Sequence, residues 1–302
     1  MKGELTVEYA KNKVSRLANK RVLTDDEKQI LIEMTTFLAE NNPNPEERAH
    51  DILYLGGIYY EDERYDLALK YYEMAESMGL SQANTCLGYI WYYGRTGVKN
   101  YEKAFYYFSQ AAKDGDINCA YKLADMYKNG YYVEADYEKY KSIIKELYPK
   151  VRGARNLFDL LPEVYTRLAG IYVQEGRTED AIDLYIAAKD FLAQRIVYNP
   201  FFGNFTIMKY LIRDLRKLLP IEEDDVDFYD LYEILKKPAT VTFYYKKKPY
   251  TVRSVMEDDE CVVEFEGKWF RTADDFITKA VIGSLPLHNI SRDLYMFNVR
   301  ED

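Results

Sequence analysis

Leu55-Gly56-Gly57-Ile58-Tyr59 reads large, small, any, apolar, aromatic, and the same order returns at Leu87-Gly88-Tyr89-Ile90-Trp91, Leu123-Ala124-Asp125-Met126-Tyr127 and Leu168-Ala169-Gly170-Ile171-Tyr172. Leucine and an aromatic four positions on share one helical face, and the small residue between them lets a second helix come close. A second phrase follows each first one: Ala68 with Tyr71, Tyr72 and Ala75; Ala104 with Tyr107, Phe108 and Ala111; Tyr140 with Ile143 and Ile144; Ala181 with Leu184, Tyr185 and Ala188. Spacings of three, four and seven are the helix period, so each pair of phrases predicts a hairpin of two amphipathic helices. The leucines are 32, 36 and 45 residues apart, the periodicity of stacked arrays.

On these residues the stretch 46–190 resembles the tetratricopeptide family. In the first repeat Ile52, Leu55, Gly56, Tyr59, Ala68, Tyr72 and Ala75 fall on the family pattern, and in the fourth Tyr165, Leu168, Ala169, Tyr172, Ala181, Tyr185 and Ala188 do. There the interval from Leu to Ala is 13 residues, but it is 17 from Leu87 to Ala104 and from Leu123 to Tyr140. The longer loops at 93–98 and 129–133 contain glycine, and with Ala111 to Gly115 they are similar to the Sel-one-like (SLR) branch of the same superfamily. The cysteine pairing within repeats that marks one SLR subgroup is absent. The third repeat departs from the pattern, with Tyr140 in place of the small residue. The resemblance implies a mostly α chain, a right-handed α-solenoid of helix hairpins whose first helices line a concave face.

Around the array, residues 1–45 read as capping helices, opened by the capping box Thr24-Asp25-Asp26-Glu27 and ended by the breaker cluster Asn41 to Pro45. Such caps shield the apolar face a terminal repeat would otherwise expose. Residues 191–238 read as two closing helices, Phe205 to Leu219 and Val226 to Leu235, the second starting in the acidic run Glu222 to Asp227. From 239 to 302 the period changes to two. Val241, Phe243 and Tyr245 alternate with Thr240, Thr242 and Tyr244, further strands follow, and Thr272 caps a short helix, which together predict a small α+β module.

Composition narrows the function. The chain has 302 residues, 48% of them apolar and 30% charged, as expected of a folded globular protein. Its net charge of -9 opposes a nucleic-acid partner. Lys246-Lys247-Lys248 does not reverse this, because nine basic residues face eleven acidic ones from Ala239 onward, so the triplet reads as a hairpin tip. No stretch approaches the roughly 18 apolar residues of a membrane span, and the polar start Met1 to Lys13 lacks a signal-peptide core, which reads as a cytoplasmic protein. Three widely spaced cysteines, Cys86, Cys119 and Cys261, suggest no metal or redox motif.

The two histidines, His50 and His288, fall in different predicted domains, and no phosphate loop or hydrolase motif occurs. The expectation is a chain without enzymatic activity, cofactor or metal, which binds a partner protein or peptide along the concave groove, with homodimerisation left open. Helical spacing nominates Tyr60, Tyr89, Tyr92, Tyr93, Tyr121, Asp125, Lys128 and Gln174 as the binding residues. Tyrosine, 31 of the 302 residues, is rigid and amphipathic and suits recognition surfaces, though the same rings could brace a neighbouring helix or the C-terminal module. Two alternatives remain. The β module, with Trp269-Phe270, could be the binding or inhibitory part and the repeats a spacer or dimerisation arm, or the chain could be an enzyme of unknown class.

Overall fold

The computed structural model describes residues 5–20, 22–153, 156, 160–219, 226–258 and 260–301. They form two compact units, divided between Ile143 and Ile144.

The first unit is a series of helices, each packed on the one before it: α1 (Val7–Ala18), α2 (Asp25–Asn41), α3 (Pro45–Glu61), α4 (Tyr65–Ser77), α5 (Gln82–Tyr93), α6 (Tyr101–Lys113) and α7 (Ile117–Asn129). Helix α8 (Tyr137–Val151) runs from this unit into the next. Side-chain caps set the starts. Thr24 and Glu27 form the expected capping box, and Asn44, Asn100 and Asp116 each accept from backbone N–H groups of the first turn, satisfying donors that would otherwise have no partner.

The seams follow the two phrases. Leu55, Ala68, Leu87, Ala104 and Phe108 are fully buried. A Cβ on Gly56 would come within 2.6 Å of the Tyr72 ring, and one on Gly88 within 2.4 Å of Phe108, so the small residue is what allows an aromatic of the second helix to lie flat against the first. The third hairpin differs. Helix α7 buries Cys119, Tyr121, Ala124, Asp125 and Met126, whereas Leu123 and Tyr127 are only partly covered.

The second unit begins with the fourth predicted hairpin, α9 (Leu161–Gln174) and α10 (Thr178–Tyr198), followed by α11 (Phe202–Leu218), a 3-10 turn Phe228–Asp230 and the short α12 (Leu231–Ile234). Buried ion pairs tie these helices together. Arg195 reaches Glu163 at 2.7 Å, and the fully buried Asp230 meets Arg216 at 2.8 Å and Lys189 at 3.7 Å. Of the acidic run, Asp227 caps the 3-10 turn and pairs with Lys189 at 2.7 Å, while Glu222 to Asp225 lie outside the described residues.

A five-stranded antiparallel sheet completes the unit, in the order β4-β3-β2-β1-β7: β1 (Ala239–Tyr245), β2 (Lys248–Glu257), β3 (Glu260–Phe265), β4 (Lys268–Phe270) and β7 (Tyr295–Glu301). Lys246 and Lys247 are the two hairpin residues between β1 and β2, both with positive φ. The helix α13 (Ala273–Lys279) starts at the Thr272 cap and turns Phe276 and Ile277 inward. Phe276 meets Phe265 of β3 and Phe228 of the 3-10 turn at ring separations of 5.4 and 6.4 Å, so residues before β1 complete the core under the sheet. The two-residue strands β5 (Val281–Ile282) and β6 (Leu285–Pro286) form a separate hairpin.

Candidate functional site

Burying one face of α5 on α4 and α6 turns Ala83, Leu87, Gly88 and Ile90 inward. That leaves Tyr89 and Tyr92 half-buried and Tyr93 exposed to 43% at the end of the helix. Gly94 closes α5 in the left-handed conformation, φ 65°, where any Cβ would strike Lys99. The turn is then fixed by Arg95 N–H donating to Ile90 and Asn100 N–H donating to Trp91. The turn after α7 repeats this arrangement 36 residues later: Gly130 is left-handed, Tyr131 N–H donates to Met126 and Asp136 N–H to Tyr127. Each long turn therefore delivers its second residue, Arg95 or Tyr131, to a fixed place beside the tyrosines.

Arg95 projects back to the preceding repeat. Its Nε donates to the Tyr60 hydroxyl at 3.0 Å, and the guanidinium lies 5.6, 5.4 and 5.2 Å from the ring centres of Tyr60, Tyr65 and Tyr93. Lys122 of α7 reaches the same patch from the other side. Its ammonium donates to the Tyr93 hydroxyl at 3.0 Å and lies 5.8, 5.2 and 5.3 Å from the rings of Tyr89, Tyr92 and Tyr93. Tyr89 and Tyr93 stack at 6.0 Å, Tyr92 is edge-on to Tyr93 at 5.1 Å, and Tyr101 and Tyr131 stack at 4.5 Å beside Tyr92. Each cation–ring contact contributes about 0.5–1 kcal/mol at an exposed position, so together they hold the charges and rings in one arrangement. Burial, and after it the neighbouring thiol and acidic groups, keep the Tyr89 and Tyr92 phenols well above their usual ionisation range, so both stay protonated.

Among the nominated residues, Tyr60, Tyr89, Tyr92 and Tyr93 come together here. Tyr121 and Asp125 are buried instead, with the Tyr121 ring 5.6 Å from Lys122. Lys128 is exposed and its ammonium lies over the Tyr140 ring at 5.1 Å. Gln174, exposed in the last turn of α9, belongs to the second unit. Sequence reasoning missed Arg95 and Lys122, the cations that organise the patch. The available signal was that α5 carries no Lys or Arg of its own, so any charge on its tyrosines has to come from the following turn or from α7.

Other features are less developed. A cavity of about 740 Å³ opens between α1, α2 and α3, lined by Leu17, Leu31, Ile32, Tyr54 and Ile58 among others. Among the described residues, no group of three His, Cys, Asp or Glu side chains converges as a metal site would require, and no helix is long and apolar enough to cross a membrane.

Three successive segments, 52–80, 81–116 and 117–139, match the model of the family described as Sel1 repeat. No curated protein matches the chain. Among solved structures, a Sel1 repeat protein from Oxalobacter formigenes is similar with 17% identity and a TM-score of 0.42, over 70% of this chain and 90% of that one. A protective antigen of uropathogenic Escherichia coli displaying an SLR fold gives 17% identity and 0.41, over 75% of this chain and 55% of its own length. The apo form of the quorum sensor NprR from B. thuringiensis gives 15% and 0.41, over 77% and 70%. The hairpins α3–α4, α5–α6 and the helix α7, residues 52–139, are a run of three Sel1 repeats.

Proposed function

We propose that this chain is a non-enzymatic adaptor of the cytoplasm, which holds a partner protein or peptide against the tyrosine face made by Tyr60, Tyr89, Tyr92 and Tyr93. The carrying observation is that Arg95 and Lys122 hold this cluster, half-buried at Tyr60, Tyr89 and Tyr92 and exposed at Tyr93, through hydroxyl and ring contacts. Preformed aromatic and cationic groups reduce the ordering cost of association, which is how binding hot spots gain affinity. Three unpaired cysteines fit a reducing compartment, and the net charge of -9 argues for a protein rather than a nucleic-acid partner. The test compares proteins captured from native lysate by wild type and by Tyr93→Ala, with circular dichroism as the folding control. Loss of a specific captured protein by a folded variant supports the reading; an unchanged captured set removes the face from it.

A second reading has one observation in its favour. Trp269 on the short edge strand β4 is 63% exposed, and tryptophan is enriched among the residues that dominate binding interfaces. Under this reading Trp269→Ala, and not Tyr93→Ala, abolishes capture.

A further inference from the structure

We infer, resting on the adaptor reading above, that the partner segment is acidic: an extended peptide with two carboxylates close together, one received by Arg95 and the other by Lys122. The chain has nine more acidic than basic residues, and many of its lysines and arginines sit in ion pairs, such as Lys145 with Glu175 and Arg177 with Asp180. Arg95 and Lys122 do not. Among the described residues neither meets a carboxylate within ion-pair distance, and both take tyrosine hydroxyls at 3.0 Å instead.

What those hydroxyls do next follows from hydrogen-bond chemistry. A phenol that accepts from a cation keeps its own O–H for donation, and the cation polarises it toward an anion. Tyr60 and Tyr93 are therefore donors beside each charge. Arg95 has committed only Nε, leaving its two terminal NH2 groups, and Lys122 has committed one of three N–H bonds. Each cation with its tyrosine is thus a site for one carboxylate. Because both cations lie over the single ring of Tyr93, at 5.2 and 5.3 Å from its centre, the two sites are within reach of neighbouring acidic side chains on one peptide.

The arrangement favours carboxylates over a phosphate group. A phosphate concentrates its charge on one centre and is best met by converging donors, Arg forks above all. Here one guanidinium and one ammonium are divided between separate hydroxyls around Tyr93, which matches two single charges. In an otherwise acidic chain the pair supplies the positive charges that an acidic segment would meet at this face.

The experiment passes short randomised peptides over immobilised full-length protein, sequences those retained, and repeats this with Arg95→Gln, Lys122→Gln and the double variant. Charge-retaining Arg95→Lys and Lys122→Arg serve as controls, and circular dichroism checks folding. Expected are retained peptides enriched in paired Asp and Glu. Each single Gln variant binds an enriched peptide roughly tenfold more weakly, the double variant loses the enrichment, the charge-retaining variants keep it, and binding falls as salt rises. Peptides retained without acidic enrichment, or equally by the double variant, overturn this inference and leave the adaptor reading standing. Phosphorylated peptides retained in preference to their Glu counterparts overturn the carboxylate assignment. No peptide retained by any form removes both.

Discussion

The Nε of Arg95 donates to the hydroxyl of Tyr60 across 35 residues of sequence, so the turn that ends one repeat's first helix is held against the first helix of the repeat before it. The contact is exposed, and a hydrogen bond of this kind contributes only about 0.5–1.5 kcal/mol net. Tyr60→Phe is expected to lower stability by no more than that, and Arg95→Gln by more, because it also gives up the contacts to the Tyr60, Tyr65 and Tyr93 rings. Urea denaturation of both single variants and the double checks it; a loss of several kcal/mol would mean the pair belongs to the packed seam.

The glycines of the first phrase separate sharply. A Cβ on Gly88 strikes Phe108 at 2.4 Å, while one on Gly57 meets nothing within 4 Å. Gly88→Ala is expected to destabilise by about 1–3 kcal/mol through overpacking, and Gly57→Ala to be neutral or to stabilise by up to about 1 kcal/mol through helix propensity. Equal effects at the two sites in thermal unfolding would refute the seam geometry.

Asp230 is fully buried between Arg216 and Lys189, whose side chains are 9% and 12% exposed. Asp230→Ala leaves the enclosed Arg216 without its anion, while Lys189 keeps Asp227 at 2.7 Å, and loss of the buried partner costs about 3–5 kcal/mol. Chemical denaturation should show that loss in the second unit; a cost under about 1 kcal/mol would place the cluster effectively in water.

Burial holds His288 below its ordinary value of 6.5, because the charged imidazole is poorly solvated beside the Phe205 ring at 5.2 Å. The folded chain thus binds this proton more weakly than the unfolded chain. The resulting stability is complete above 6.5 and is lost as pH falls through the lowered folded value. Wild type should therefore lose stability relative to His288→Phe on going from neutral to about pH 5, measured by urea midpoints; parallel profiles would contradict it.

Cys119 is completely buried, and burial pushes its thiol up to about 12, whereas Cys261 is partly exposed on β3. A thiol reagent at mildly alkaline pH is expected to label Cys261 first and Cys119 only after unfolding. Mass mapping of the labelled peptides decides it; early labelling of Cys119 would show that α7 opens readily.

Much of the first unit was legible because its seams depend on one small residue and one aromatic at helical spacing, visible at Gly56 with Tyr72 and Gly88 with Phe108. The facing of α7 was not. Apolar side chains at Ile117, Cys119, Tyr121, Leu123, Met126 and Tyr127 surround more than one side of the helix, so periodicity alone cannot decide that Tyr121 and Asp125 turn inward. Strands as short as β5 and β6 hold two residues each and contain no period to detect. The tyrosines of the candidate face were readable from spacing on α5, but the cations were hidden. Arg95 stands in a turn, where helical spacing says nothing, and Lys122 comes from the next repeat.

The matched turns after α5 and α7 place Arg95 and Tyr131 equivalently, each held by its own backbone N–H and each preceded by a left-handed glycine. The same backbone turn therefore sets an exposed guanidinium beside the tyrosines in one repeat and a half-buried ring against Tyr101 in the next. Exchanging that one residue changes the chemistry beside the tyrosines without touching the glycine or the two backbone hydrogen bonds that shape the turn.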